Sequence, residues 1–198
     1  MLEVQILGLT PYQEAWALQN RLADRIAEGE HPETLLLLEH PHTYTLGRRG
    51  QADNLLWSEE QLDSKGVTVE WVDRGGDITY HGPGQLVGYP LLQLAPIGWQ
   101  RDRLPQADYV GYIRKLERVL MDTLAAFNIS AYRVEGKTGV WAKPKGGAGL
   151  KKIASIGVKV DSRGISRHGF ALNVDPDMSY WEGIVPCGLD GVAMVSMK

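Results

Sequence analysis

The sequence predicts an α+β domain built on a mixed or largely antiparallel central sheet, and three observations lead there. Helical and strand-like segments are interspersed without the regular strand-helix-strand alternation of a doubly wound fold. The second half is a series of short strand-like pieces joined by turn-rich segments such as Asp161-Ser162-Arg163-Gly164 and Asp175-Pro176-Asp177. The 198 residues, 43% of them hydrophobic, suffice for one sizeable core, so a single domain over residues 1–198 is expected.

Taken in order, Thr10-Pro11-Tyr12-Gln13 reads as a capping box with proline at the first helical position. Ala15, Leu18, Leu22 and Ile26 follow at spacings of three and four, which predicts a helix over about 11–28 stopped at Gly29. Thr34 to Leu38 has the continuous apolar character of a buried strand, and Thr43 to Leu46 is a second β-prone piece after His40-Pro41-His42. Ser58-Glu59-Glu60-Gln61 opens a short capped helix that ends at Gly66. Val67 to Val72 and Gln85 to Leu92 are strand-like, with Gly82-Pro83-Gly84 turning the chain between β segments. From Ala107 to Phe127, the set Ile113, Leu116, Leu120, Leu124 and Phe127 keeps helical spacing, with Arg114, Lys115 and Glu117 on the opposite face. Ala131 to Val134, Val140-Trp141, Ile153 to Val160 and Gly169 to Val174 complete the strands, and the glycine-rich basic stretch from Lys143 to Lys152 is a mobile-loop candidate.

Composition narrows the function classes. Lys plus Arg number 21 against 24 Asp plus Glu, and a net charge of -3 provides no global attraction to nucleic acid or an anionic membrane. The longest aliphatic run, Leu35 to Leu38, is far short of a bilayer span, and the first ten residues lack a basic, apolar leader, so a cytoplasmic protein is expected. One cysteine cannot form an internal disulfide, and the five histidines lack H-E-x-x-H spacing, so no metal site is expected. Gly82, Gly84 and Gly88 miss the dinucleotide pattern by one residue and no P-loop occurs, which leaves no nucleotide cofactor to expect.

Two segments spend glycine and polar residues where a core strand would not. In Arg74-Gly75-Gly76-Asp77-Ile78-Thr79-Tyr80-His81, glycines allow close backbone approach to a ligand, although an isolated turn of this kind reads first as a tight hairpin. The second runs from Lys152-Ile153-Ala154-Ser155-Ile156-Gly157 through His168-Gly169-Phe170-Ala171 to Pro186-Cys187-Gly188. A lone cysteine reads first as a small buried hydrophobe, but Pro186 and Gly188 put Cys187 in a turn, where a thiol is more accessible. A thiol with its ordinary pKa of about 8.5 is only a few per cent thiolate at neutral pH, so a reactive one needs a cationic or donor neighbour. Lys152 and His168 are the candidates.

Together these segments, with Glu39-His40-Pro41-His42-Thr43-Tyr44-Thr45-Leu46-Gly47-Arg48, resemble the lipoyl(octanoyl) transferase family in content and order, over most of the chain. The resemblance implies the biotin/lipoate protein ligase-like fold, with a smaller second sheet and packed helices. It implies that Cys187 carries the acyl group as a thioester and that Lys152 lowers its pKa and shuttles protons. Arg74 to His81, Ser155-Ile156-Gly157 and Gly169-Phe170-Ala171 would line the acyl pocket.

The implied donor is octanoyl-acyl carrier protein. The implied acceptors are lysines of the lipoyl domains of 2-oxoacid dehydrogenase E2 subunits and of glycine cleavage H protein, served by a monomeric enzyme. An activated thioester donor needs neither ATP nor Mg²⁺. The chain ends 11 residues after Cys187, where family members continue into a further helix, so a truncated C-terminus is expected. Two other functions share these features: an ATP-dependent lipoate or biotin ligase, which needs no cysteine, and a non-catalytic acyl-binding or lipoyl-domain-binding module. Arg48, Arg49, Lys143, Lys145 and Lys151 are the expected docking cations for acidic partners.

Overall fold

The computed structural model describes residues 1–94, 106–144, 146–188 and 191–198. Lys145 therefore lies outside the described residues. Among them, ten strands form two sheets. The larger contains β1 (Glu3–Leu9), β2 (Thr34–Glu39), β6 (Gln85–Leu91), β7 (Ala131–Val134), β8 (Lys137–Ala142), β9 (Lys151–Val160) and β10 (Ser166–Asn173). Its order is β1-β2-β6-β10-β9-β8-β7, parallel only at β1–β2 and otherwise antiparallel. The smaller sheet has β3 (Thr43–Leu46) between a parallel β4 (Thr68–Trp71) and an antiparallel β5 (Ile78–His81). This is the expected α+β fold.

Helix α1 (Tyr12–Ala27) and helix α3 (Gln106–Ala126) cover opposite faces of the large sheet. Successive strand residues point to opposite faces, and in β10 Ala171 packs with Ala15, Leu22 and Ile26 of α1, whereas Leu172 packs with Leu120 and Leu124 of α3. Each fully buried leucine in these layers contributes about 1.5–3 kcal/mol of transfer free energy. The small sheet forms its own core from Tyr44, Leu46, Ile78 and Tyr80 with Leu62 of α2 (Glu59–Ser64) and Trp181. The capping box of α2 is present, with Ser58 Oγ accepting from the Gln61 amide and Gln61 returning a bond to the Ser58 amide.

Several local readings are corrected by tertiary contacts. Pro11, not Thr10, is the N-cap of α1, and no side chain caps it. The Thr10 amide donates to the Glu39 carbonyl and its hydroxyl turns back to Leu7, because the chain is leaving β1 there. Strand β1 itself was not expected. It is an edge strand whose Val4 and Ile6 are exposed, so its apolar alternation marks no core face. β2 alternates buried and half-buried rather than being buried on both sides.

On α3, Phe127 lies beyond the last turn and is 63% exposed, while Glu117, expected on the solvent face, is fully buried. Residues 78–81 are strand, and β5 and β6 join different sheets, so Gly82-Pro83-Gly84 passes the chain between sheets and closes no hairpin. Lys151 and Lys152 belong to β9 and not to a mobile loop.

Candidate active site

The small sheet sorts its side chains by alternation. Thr45 pairs with Thr79 and Thr43 with His81 on one face, and Tyr44 with Tyr80 and Leu46 with Ile78 on the other. The first face borders a cavity of about 490 Å³ at the seam between the two sheets, a volume typical of small-ligand pockets. Its lining includes Arg74, Gly75, Gly76, Asp77, Ile78, Thr79 and His81 from the first segment singled out in the sequence. Lys152, Ser155, Ile156 and Gly157 come from β9, and Gly169, Phe170 and Ala171 from β10. Tyr80 is the exception. It points into the small-sheet core, with its hydroxyl 2.9 Å from His42 Nδ1.

The glycines permit this close assembly. Gly157 and Gly169 sit opposite each other in β9 and β10. A Cβ on Gly157 would stand 3.0 Å from the Gly75 carbonyl, and one on Gly169 would stand 2.6 Å from Pro90 Cδ. The Gly75 amide donates to the Val158 carbonyl at 3.0 Å, which ties the Arg74 loop to β9.

Two buried cations face the cavity. Arg74 is held by Thr45 Oγ1, which accepts from Nε and Nη2 at 3.2 and 2.8 Å, and by the Gly75 carbonyl at 3.0 Å. Lys152, 4% exposed, stands on β9 with its Nζ 5.9 Å from the centre of the Trp141 ring. The backbone of Lys152 is clamped by the Ala193 carbonyl at 2.9 Å and the Val195 amide at 3.0 Å.

A polar network lies deeper. His81 Nδ1–H donates to Gln85 Oε1 at 2.8 Å, and burial pushes its pKa well down, so the ring is neutral. His168, whose φ of +55° is unusual for a residue with a Cβ, donates Nε2–H to Asp73 at 2.7 Å; burial lowers its pKa against the pull of that carboxylate. Burial alone would raise the Asp73 carboxyl. The hydrogen bonds from His168 and Lys159, with the Arg167 charge, hold it well below the ordinary carboxylate range. The hydroxyls of Thr79 and Ser155 are buried with no hydrogen-bond partner among the described residues, although both residues line the cavity. Unsatisfied buried hydroxyls in a pocket mark places where a ligand oxygen fits.

Cys187 occupies a single 3-10 turn, Pro186–Gly188, which packs beside β5. Gly188 has φ +62°, and a Cβ there would collide with the Asp77 carboxylate and stand 3.0 Å from Asn54 Nδ2. Asn54 Nδ2 donates to Asp77 at 2.6 Å and its carbonyl accepts from the Val185 amide at 2.8 Å. The turn is thereby fastened to Asp77, a cavity residue. Of the docking cations, Arg49 lines the cavity, Arg48 and Lys143 are exposed, and Lys151 is half-buried at the start of β9.

Sequence reasoning missed Tyr12, Thr138 and Tyr89 in the lining, and Asp73 behind it. Tyr12 and Tyr89 carried only helix and strand signals. Asp73, beside Arg74, is connected to His168 by a contact spanning 95 positions.

Among the described residues, no three His, Cys, Asp or Glu side chains converge as a metal site requires, and no helix is long and apolar enough to cross a membrane. The family described as the lipoyl protein ligase A/B catalytic domain matches residues 11–198. Curated relatives named octanoyltransferase include one from Rubrobacter xylanophilus, 46% identical over 96% of this chain and 80% of its own length. Another, from Chloroflexus aggregans, is 44% identical over 99% of this chain and 83% of its own length. Among solved structures, a bipartite lipoate protein ligase from Thermoplasma acidophilum superposes with a TM-score of 0.66 at 17% identity, over 96% of this chain and 69% of that one. A P. falciparum protein in complex with lipoate superposes with a TM-score of 0.68 at 14% identity, over 100% of this chain and 55% of that one. At such identities the structures show the shared fold. With the family match spanning nearly all of it, this acyltransferase chain belongs to the lipoyl protein ligase A/B catalytic domain family.

Proposed function

We propose that the chain transfers an octanoyl group, and by the same route a lipoyl group, from acyl carrier protein to a lysine of a lipoyl domain through a thioester on Cys187. One observation carries this reading: Lys152, a buried cation, opens onto the glycine-lined cavity whose Asp77 anchors the Cys187 turn. The names of the relatives supply the octanoyl group.

In the first half-reaction the Cys187 thiolate attacks the thioester carbonyl of octanoyl-phosphopantetheine. The carbon-sulfur bond to the carrier breaks, and the released pantetheine thiolate takes a proton from the Lys152 ammonium. In the second, the neutral acceptor amine attacks the acyl-cysteine, the Cys187 thiolate leaves, and Lys152 accepts the proton that the new amide sheds. The ammonium stabilises the Cys187 thiolate before the first attack and, re-formed by the amide proton, again after the second has released it. A full charge about 4 Å from the sulfur is worth up to about 4 kcal/mol at an effective dielectric near 20, enough to bring the thiol pKa down by more than one unit. The unpartnered Thr79 and Ser155 hydroxyls suit the acyl oxygen as negative charge develops on it. The isoleucine and phenylalanine of the lining, Ile156 and Phe170, suit the hydrocarbon chain.

Incubation with octanoyl-acyl carrier protein in the absence of ATP, followed by intact-protein mass measurement, tests this. One octanoyl adduct, released by hydroxylamine and absent from Cys187→Ser, is expected. An adduct that requires ATP, or none at all, would assign the fold to ligase or binding duty instead.

A further inference from the structure

The buried carboxylate of Glu117 lies outside the proposed chemistry and has no place in a plain helix core. It falls on the same face of α3 as Leu116, Leu120 and Leu124, where an aliphatic side chain would pack at no electrostatic cost, whereas a buried carboxylate is costly unless fully paired. Its pairing is specific. Glu117 Oε2 accepts from Arg114 Nη1 at 2.7 Å and Arg133 Nε at 2.9 Å, and Oε1 accepts from the Gly139 amide at 3.1 Å.

Gly139 lies where β8 departs from regular pairing. The β7–β8 register shifts between Tyr132 and Val134, and the β8–β9 register between Val140 and Trp141. At φ +114°, its backbone comes against the side chain of Lys152, where a Cβ would stand 2.6 Å from Lys152 Cε and 3.3 Å from Nζ. The Lys152 backbone is already clamped by Ala193 and Val195. Its side chain runs against the Gly139 backbone, with the ammonium 5.9 Å from the centre of the Trp141 ring.

We infer that Glu117 is a positioning residue: by holding the Gly139 amide it fixes the bulge that sets where the Lys152 ammonium stands in the cavity. The inference rests on the reading of Lys152 as the partner of Cys187. The two arginines neutralise the carboxylate from the protein surface, where both are partly exposed, and so leave its second oxygen for the backbone of β8.

The test compares Glu117→Leu, Glu117→Asp and Glu117→Gln, with Lys152→Ala alone and combined with Glu117→Leu. Two quantities are read: the pH dependence of Cys187 alkylation, and the single-turnover rate of acylation by octanoyl-acyl carrier protein. Glu117→Leu removes the acceptor, and Glu117→Asp keeps the charge but is one methylene too short to reach Gly139 and both arginines. Both should move the thiol pKa toward the Lys152→Ala value and slow acylation by about tenfold to a hundredfold, the loss typical of a reacting group displaced by about 1 Å. Glu117→Gln has one acceptor oxygen for three donors, and with that oxygen drawn to the two guanidinium groups its NH2 faces the Gly139 amide. It should therefore shift the thiol pKa and rate in the same direction as Glu117→Leu, which itself should add nothing once Lys152 is gone. If the aspartate variant keeps the wild-type thiol pKa and rate, or the leucine and Lys152 losses simply add, Glu117 only stabilises the fold and the inference is overturned. An unchanged thiol pKa in Lys152→Ala alone would instead strike the assignment of Lys152 itself.

Discussion

Acidification should destabilise this protein through histidines buried behind the cavity, and His40 sets the magnitude. Its ring is fully buried; Nδ1–H donates to the Thr10 carbonyl at 2.7 Å, and Nε2 accepts from the Tyr89 hydroxyl at 2.7 Å, a pattern that uses the neutral tautomer. Burial lowers its pKa from 6.5 to about 4, against the opposing effect of the bond to Thr10. Because the folded value lies below the unfolded one, stability is fully present above pH 6.5 and is lost as pH falls toward 4. At about 1.4 kcal/mol per pH unit, acidification from 6.5 to 5 removes about 2 kcal/mol through His40 alone. His81 and His168, both lowered by burial, act in the same direction. Urea unfolding at pH 7 and pH 5 measures the loss in wild type and in His40→Asn, whose side chain does not titrate in this window. The variant should be less stable at pH 7 but should lose about 2 kcal/mol less on going to pH 5. Equal pH dependence in the two proteins would refute the reasoning and place the acid-labile group elsewhere.

Four further outcomes are expected. Cys187→Ser should abolish acyl transfer with little change in melting temperature, since a serine hydroxyl beside a lysine is a far poorer nucleophile than a thiolate; near-normal turnover would end the covalent mechanism. Lys152→Arg should keep a cation near the thiol yet slow turnover, because a guanidinium hardly releases a proton, and a wild-type kcat would remove the proton-shuttle role. Reversing Lys143, Lys145 and Lys151 to Glu should lower kcat/KM and blunt the salt dependence for octanoyl-acyl carrier protein, with far less effect on a small octanoyl thioester. Equal effects on both donors would put the docking surface elsewhere. Leu124→Ala, which empties a fully buried site between α3 and the sheet, should cost about 2–5 kcal/mol in chemical unfolding.

Several local features were legible in the sequence because each leaves its mark in the residue types and spacing of a short window. The capping box of α2, the strand Thr43–Leu46 and the length of α3 are of this kind. The glycine-rich segments around Arg74, Ser155 and Gly169 stood out by composition, and they line one cavity, where residues without side chains let the backbones come close together.

What tertiary structure decided is which face each residue turns to and which distant group it meets. Tyr80 and His81 are neighbours in one motif, but pairing of β5 with β3 sends the first into a core and the second to the cavity, because a strand alternates its faces and the register comes from a partner more than thirty residues away. Glu117 reads as a solvent-facing charge on a helix, and Arg133 and Gly139, arriving from β7 and β8 to join Arg114, make its burial possible. Lys152 reads as a loop lysine until β9 places it beneath Gly139 and the C-terminal segment. Residue type and local spacing thus determined the chemistry the chain can offer and the elements it forms. Long-range strand pairing, whose energy no short window of sequence contains, determined where that chemistry converges.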